Sequence, residues 1–148
     1  MENGWPAPSE DHARFAARST SDPAKTRAFA IELARLVHDD KCEDVLVLDV
    51  SGLSPVTDFL VIASGTSDRQ MKAVLQHVAD LGKEMGFEPF GKNADENASW
   101  LLCDFVDVIV HLFEPNTRAH YDLEMLWGDA KNVPWARETE PSPEDPQR

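Results

Sequence analysis

Two apolar runs constrain the fold more than any other feature: "DVLVLDV" (44–50) and "TDFLVIAS" (57–64). Both are filled with β-branched and large aliphatic residues. The strict alternation of a half-solvated strand is missing. Strands of this kind need cover on both faces. The turn residues of "SGLSP" between them predict two adjacent central strands.

Helices are available to supply the cover. Asp22-Pro23 reads as an N-cap followed by proline at the first helical position. Phe29, Leu33, Leu36 and Val37 then keep helical spacing to about residue 39. A second helix is predicted over about 67–85, where Met71, Val74, Leu75, Val78, Leu81 and Met85 share a face and Gly86 ends the run. "FEPFG" reads as a short edge strand, because Pro89 is poorly tolerated in a sheet centre. "KNADENAS" reads as a polar loop. "WLLCDFVDVIVHLF" (100–113) reads as two strands reversing near Phe105-Val106. "EPNTRAHYDLEMLWGD" reads as one third helix with Leu123, Leu126 and Trp127 as its buried stripe. The expected fold is a single α/β domain over 23–133 with a mixed five-stranded sheet in the order α-β-β-α-β-β-β-α. Residues 1–22 and 134–148 are expected to be disordered tails.

Charge narrows the function. Fourteen basic residues face 27 acidic ones, a net charge of −13. Binding driven by phosphate neutralisation needs a basic face, and the chain has no dense Lys/Arg cluster. An acidic surface favours a basic partner and also keeps a protein soluble. Cys42 and Cys103 are isolated, as in a reducing compartment. No apolar run reaches membrane-spanning length, and the N-terminus resembles neither a signal nor a transit peptide. The expectation is a cytoplasmic protein with no membrane partner.

The chemistry-bearing candidates are few. In "SGTSDRQ" (64–70), Ser67 and Gln70 fit a capping box, and Gly65 suits a sharp strand-to-helix turn. Phosphate-binding glycine motifs are absent, and Asp68 in the first turn would repel an anion. Nucleotide transfer needs paired carboxylates on a strand face to hold divalent metal. Asp49 has no acidic neighbour two residues away. Asp104 and Asp107 straddle a turn. The five histidines show no zinc spacing. No metal and no cofactor is expected, and the rival reading is a metal-dependent nucleotidyltransferase using Gly65, Ser67, Asp104 and Asp107.

The hairpin over 100–113 is more informative. A reversal centred on Phe105-Val106 puts 104 opposite 107, 102 opposite 109 and 100 opposite 111. One face carries Leu101, Cys103, Val108, Val110 and Leu112. The other carries Trp100, Leu102, Asp104, Asp107, Ile109, His111 and Phe113. The mixed face has the composition of an interface. It is also what a third helix would cover, and the residues alone leave both readings open.

"LDVSGLSPVTDFLVIASGTSDRQMKAV", "WLLCDFVDVIVHLFEP" and "YDLEMLWGDA" closely resemble the ribosomal silencing factor, or Iojap-like, family over about residues 25–133. The resemblance implies a nucleotidyltransferase-like fold without catalysis. It implies binding to the large ribosomal subunit through ribosomal protein L fourteen, blocking the small subunit and lowering translation when nutrients are short. Organellar relatives are linked to large-subunit assembly. A minor ribosomal RNA contact and a homodimer of the free protein are compatible with it. Carried over, the partner-binding residues are Trp100, Asp104, Phe105, Asp107, His111, Tyr121 and Asp122. This favours an exposed mixed face with Trp100 as its anchor. One departure stands out: the family usually has glycine where this chain has Val106. A β-branched residue at positive φ there would carry strain of roughly 1–2 kcal/mol.

Overall fold

The protein is described from a computed structural model covering residues 22–94 and 99–137. The expected tail over 1–21, the centre of the loop before residue 99, and 138–148 lie outside the described residues.

Helix α1 (Pro23–Asp39) opens as the sequence predicts. The Asp22 carboxylate accepts from the backbone N–H of Ala24 at 3.0 Å, and Pro23 begins the helix. Phe29, Ala30, Leu33, Ala34 and Val37 form its buried stripe. Strands β1 (Glu43–Asp49) and β2 (Phe59–Ser64) pair antiparallel. Helix α2 (Asp68–Glu84) follows and buries Met71, Val74 and Val78, leaving Met85 beyond its end partly exposed.

The second half differs from expectation in three places. "FEPFG" does not form the edge strand. β3 starts only at its last residue and runs into the expected polar loop, at Gly91–Ala94, pairing with β4 (Trp100–Asp104). Phe87 is instead a packing residue, stacked on Phe29 with ring centroids 4.1 Å apart. After β5 (Val108–Phe113), the expected third helix is two short ones, α3 (Pro115–Tyr121) and α4 (Leu123–Leu126). Asp122 breaks them apart in the left-handed region at φ 46°, a conformation that Asp and Asn tolerate better than other side chains. Its carboxylate then caps α4 by accepting from the Met125 N–H at 3.3 Å. Finally, Lys131–Asn132 form β6 against β1, so the sheet has six strands rather than five.

The strand order is β3-β4-β5-β2-β1-β6. Only β2 and β5 run parallel; the other neighbours are antiparallel. Both members of the parallel pair are buried along their full length. One core, built on Phe29, Leu33, Val61, Val74, Val110 and Leu112, lies between the sheet and α1/α2. The second, built on Leu60, Ile62, Trp100, Ile109, Phe113 and Leu123, lies under α3 and α4. Two-sided cover of the apolar runs is therefore the observed architecture.

The expected boundary at residue 133 falls short. Trp135 packs against His38 of α1, with ring centroids 5.2 Å apart. Its indole N–H donates to the Val45 carbonyl at 3.1 Å, and its own carbonyl accepts from the Arg35 guanidinium at 2.7 Å. Arg137 pairs with Asp39 through two nitrogens, at 3.0 and 2.8 Å, which holds the Asp39 carboxyl below its ordinary value. The polar composition of 134–148 hides this single aromatic latch. Trp135→Ala should lower unfolding free energy by about 2 kcal/mol in urea, less than a fully buried tryptophan because the ring is half-buried.

Candidate functional site

The hairpin β4–β5 carries most of the expected contact residues. Its register is Trp100 opposite Phe113, Leu102 opposite His111 and Asp104 opposite Ile109. This differs by two residues from the expected pairing of 104 with 107. Because the slip is even, the expected assignment of residues to faces holds. The turn is displaced by one residue from the expected centre, with Val106 and Asp107 at its tip.

The exposed reading of the mixed face is overturned. Trp100 is 1% exposed and His111 0%. The face is covered by α3, α4 and the chain leading to β6, from which Tyr121, Trp127 and Ala130 pack onto it. The Trp100 ring meets Phe113 and Tyr121, each at a centroid distance of 4.7 Å. Its indole N–H donates to His111 Nδ1 at 3.0 Å. An indole nitrogen can only donate, so Nδ1 has to be unprotonated. Full burial agrees with this, pushing the His111 pKa down from 6.5 to about 3.

Asp104 and Phe105 are also interior. Asp104 Oδ1 accepts from the Val106 N–H at 2.7 Å. Phe105 points to the opposite core, edge-on to Phe29 at 4.9 Å. A Cβ on Gly82 would come within 2.3 Å of the Phe105 ring, so that helix position has to stay bare. Val106 does take positive φ, at 75°. The Asp107 N–H donates back to the Phe105 carbonyl at 2.9 Å. A three-residue turn at positive φ is the rare, strained kind. The buried Asp104 carboxylate and the burial of Val106 itself hold it in place. The Asp107 carbonyl in turn accepts from the N–H groups of Asp58 and Phe59, tying the tip to the start of β2.

The seven expected residues thus do not form one surface. Trp100 and His111 cluster beneath α3, whose last residue, Tyr121, packs on the Trp100 ring. Asp104 and Asp107 sit at the turn, and Phe105 lies in the other core. Asp107, Tyr121 and Asp122 are half-buried and keep solvent-facing area. Sequence reasoning missed Arg118. It donates to Ser64 Oγ at 2.9 Å and pairs with Glu124 at 2.6 Å, holding α4 to α3 across the break at Asp122. It also missed Asp58, whose pKa is raised by burial and then by the Asp107 and Asp49 carboxylates. Tertiary folding alone brings these three together.

"SGTSDRQ" is structural punctuation. Ser67 Oγ accepts from the Gln70 N–H at 3.0 Å, and Gln70 Oε1 accepts from the Thr66 N–H at 3.1 Å. Gln70 Nε2 also donates to the Asp40 carbonyl at 2.9 Å, stitching the start of α2 to the end of α1. Gly65 is required for proximity rather than for its φ: a Cβ there would lie 2.1 Å from Met71 Cγ. Among the described residues no group of three or more His, Cys, Asp or Glu could hold a metal ion, and no helix is long and apolar enough to cross a membrane.

Two outcomes follow from the buried pair. Trp100→Ala should cost about 3–5 kcal/mol of stability in urea unfolding, the penalty of emptying a core site. His111 also imposes a pH dependence. Its folded pKa lies near 3 and its unfolded pKa near 6.5, so below 6.5 the unfolded chain binds a proton that the folded chain refuses. Stability should fall as pH drops from 6.5 towards 3. His111→Asn keeps an acceptor for Trp100 without titrating, and its stability should be flatter between pH 6.5 and 4.5 in matched melts.

Known proteins resemble this chain in both sequence and fold. The family model "RsfS: Ribosomal silencing factor during starvation" matches residues 23–148. The "Ribosomal silencing factor RsfS" of Bacillus subtilis is 40% identical over 101 residues, 68% of this chain and 86% of that protein. The mouse "Mitochondrial assembly of ribosomal large subunit protein 1" is 35% identical over 101 residues, 64% of this chain but 43% of that longer protein. A crystal structure from Chromobacterium violaceum superposes with a TM-score of 0.64 at 33% identity, covering 79% of this chain and 94% of the other. Three motifs in order, the matched profile and the shared α/β fold converge: the chain belongs to the ribosomal silencing factor (RsfS, Iojap-like) family.

Proposed function

We propose that this protein is a non-enzymatic silencer of translation that binds the large ribosomal subunit. The contact is to ribosomal protein L fourteen on the intersubunit face, with at most a minor contact to ribosomal RNA. Occlusion then keeps the small subunit from joining. The observation that carries this reading is the family match over residues 23–148. Charge is consistent with it: an excess of 13 negative charges suits a basic ribosomal protein and disfavours RNA as the main contact. Asp107, Tyr121 and Asp122 are the expected residues with the surface to touch a partner. Trp100, Asp104, Phe105 and His111 act from beneath by fixing the hairpin and α3. The protein works in the cytoplasm, and the free chain has the option of pairing with a second copy.

A second reading, large-subunit assembly, is favoured by the name of the mouse relative. Both need the same contact, so the readout has to be subunit joining. Purified large subunits should co-sediment with the protein and then fail to join small subunits. Binding without any block would sink silencing and leave assembly. Association should also be steered: raising salt from about 0.05 to 0.3 M should slow the on-rate more than it speeds the off-rate. A salt-independent on-rate in stopped flow would remove the acidic surface from the mechanism.

A further inference from the structure

The β1–β2 loop (50–58) is built more firmly than a connecting loop needs to be. The Val50 carbonyl accepts from the N–H groups of Leu53 and Ser54 at 2.9 and 2.8 Å. The Asp49 carboxylate accepts from both the N–H and the hydroxyl of Ser51. Ser54 Oγ accepts from the N–H groups of Val56 and Thr57 at 3.2 and 3.3 Å. Yet this pinned loop leaves Leu53 47% exposed. A leucine presented on a rigid support has already lost the loop entropy that binding would otherwise have to offset.

Leu53 stands at one of two adjoining depressions. The smaller, about 270 Å³, is lined by Leu53, Asp49, Ser51, Asp129 and Lys131. The larger, about 460 Å³, shares Asp49 and Ser51 and extends past Asp58 to Arg27 and the start of α1. Asp129 belongs to the turn that leaves α4, where Met125 is 78% and Leu126 50% exposed. Of the four large exposed apolar side chains among the described residues, Leu53 is the one that lines these depressions. Asp49 and Asp58 line the larger depression with Arg27, Asp49 and Asp129 line the smaller with Lys131, and Asp107 lies close enough to Asp58 to add to the burial that disfavours its ionisation. Crowded carboxylates of this kind gain when a cation approaches, and they repel phosphate.

We propose that the groove between the β1–β2 loop and the α4–β6 turn is a docking surface for a basic protein, with Leu53 as its apolar contact and Asp49, Asp58 and Asp129 receiving Lys or Arg side chains. The arrangement is that of an interface in miniature: an exposed apolar anchor with a charged rim. The inference rests on the ribosome-binding reading and assigns it a surface distinct from the Trp100 face.

The test is co-sedimentation of the full chain with purified large subunits, comparing wild type, Leu53→Glu and Asp129→Lys, with thermal melts and sedimentation velocity on each free protein. Leu53→Glu should bind at least tenfold more weakly with an unchanged melt, because the side chain is half in water. Asp129→Lys should bind more weakly and with a shallower salt dependence. A wild type that binds, together with both variants binding equally well, overturns this inference and leaves the proposed function standing. A Leu53→Glu protein that binds subunits normally but changes its own oligomeric state overturns it in favour of a second copy of this chain. A wild type that does not sediment with large subunits overturns the proposed function and the inference together.

Discussion

The parallel pairing of β2 with β5 is the joint on which both layers of the molecule depend. It runs from Phe59 opposite Val108 to Ser64 opposite Phe113 with no irregularity. Side chains from these two strands alternate between the α1/α2 core and the α3/α4 core. Each core is therefore the other's foundation. A parallel pair also needs a crossover, and α2 provides it while covering one face. The tie from the Asp107 carbonyl to the N–H groups of Asp58 and Phe59 sets where the pairing begins.

This explains why Trp100, Asp104, Phe105 and His111 lie inside the fold. Trp100 of β4 and His111 of β5 lie on the sheet face that α3 and α4 close over. Asp104 satisfies a backbone N–H at a turn held at a strained positive φ. A residue can be characteristic of a family because its shape supports a binding surface, without touching anything that binds. The acidic groups that do face solvent, among them Asp107, Asp122 and Asp129, are carried by this framework. Their value to a basic partner depends on the framework holding still.

Much of the fold was legible in the sequence, and the failures have physical causes. The apolar runs of β1 and β2 predicted two-sided burial. The α1 and α2 stripes and the Ser67–Gln70 cap followed from spacing and side-chain chemistry. The face assignment in β4–β5 survived a register error because strand parity is insensitive to an even slip. What could not be read was tertiary. Whether the Trp100 face is wet depends on α3, and α3 ends early because Asp122 takes a left-handed conformation that no periodicity signals. β6 is two polar residues whose pairing is made by backbone alone. Trp135 offered a faint signal, one aromatic residue in a polar stretch, but its seat between α1 and β1 exists only after folding. The candidate surface was less legible still. Leu53 reads as a turn residue, and nothing local says that Asp129 will come near it.

The topology of β2 and β5 also bears on how the chain reaches this state. β1–β2 and β4–β5 are each antiparallel pairs joined by local connections, and such hairpins close quickly. The parallel seam between them joins segments far apart in sequence. Its loop-closure entropy is therefore lost before either core compensates for it. Until the seam forms, strands β2 and β5, destined for full burial, each present an unpaired edge. The intermediate most exposed to misassociation is thus the one in which both hairpins exist while α2 still leaves them apart. During synthesis the first hairpin and α1 emerge well before β5, so the nascent chain carries an open β2 edge for that interval.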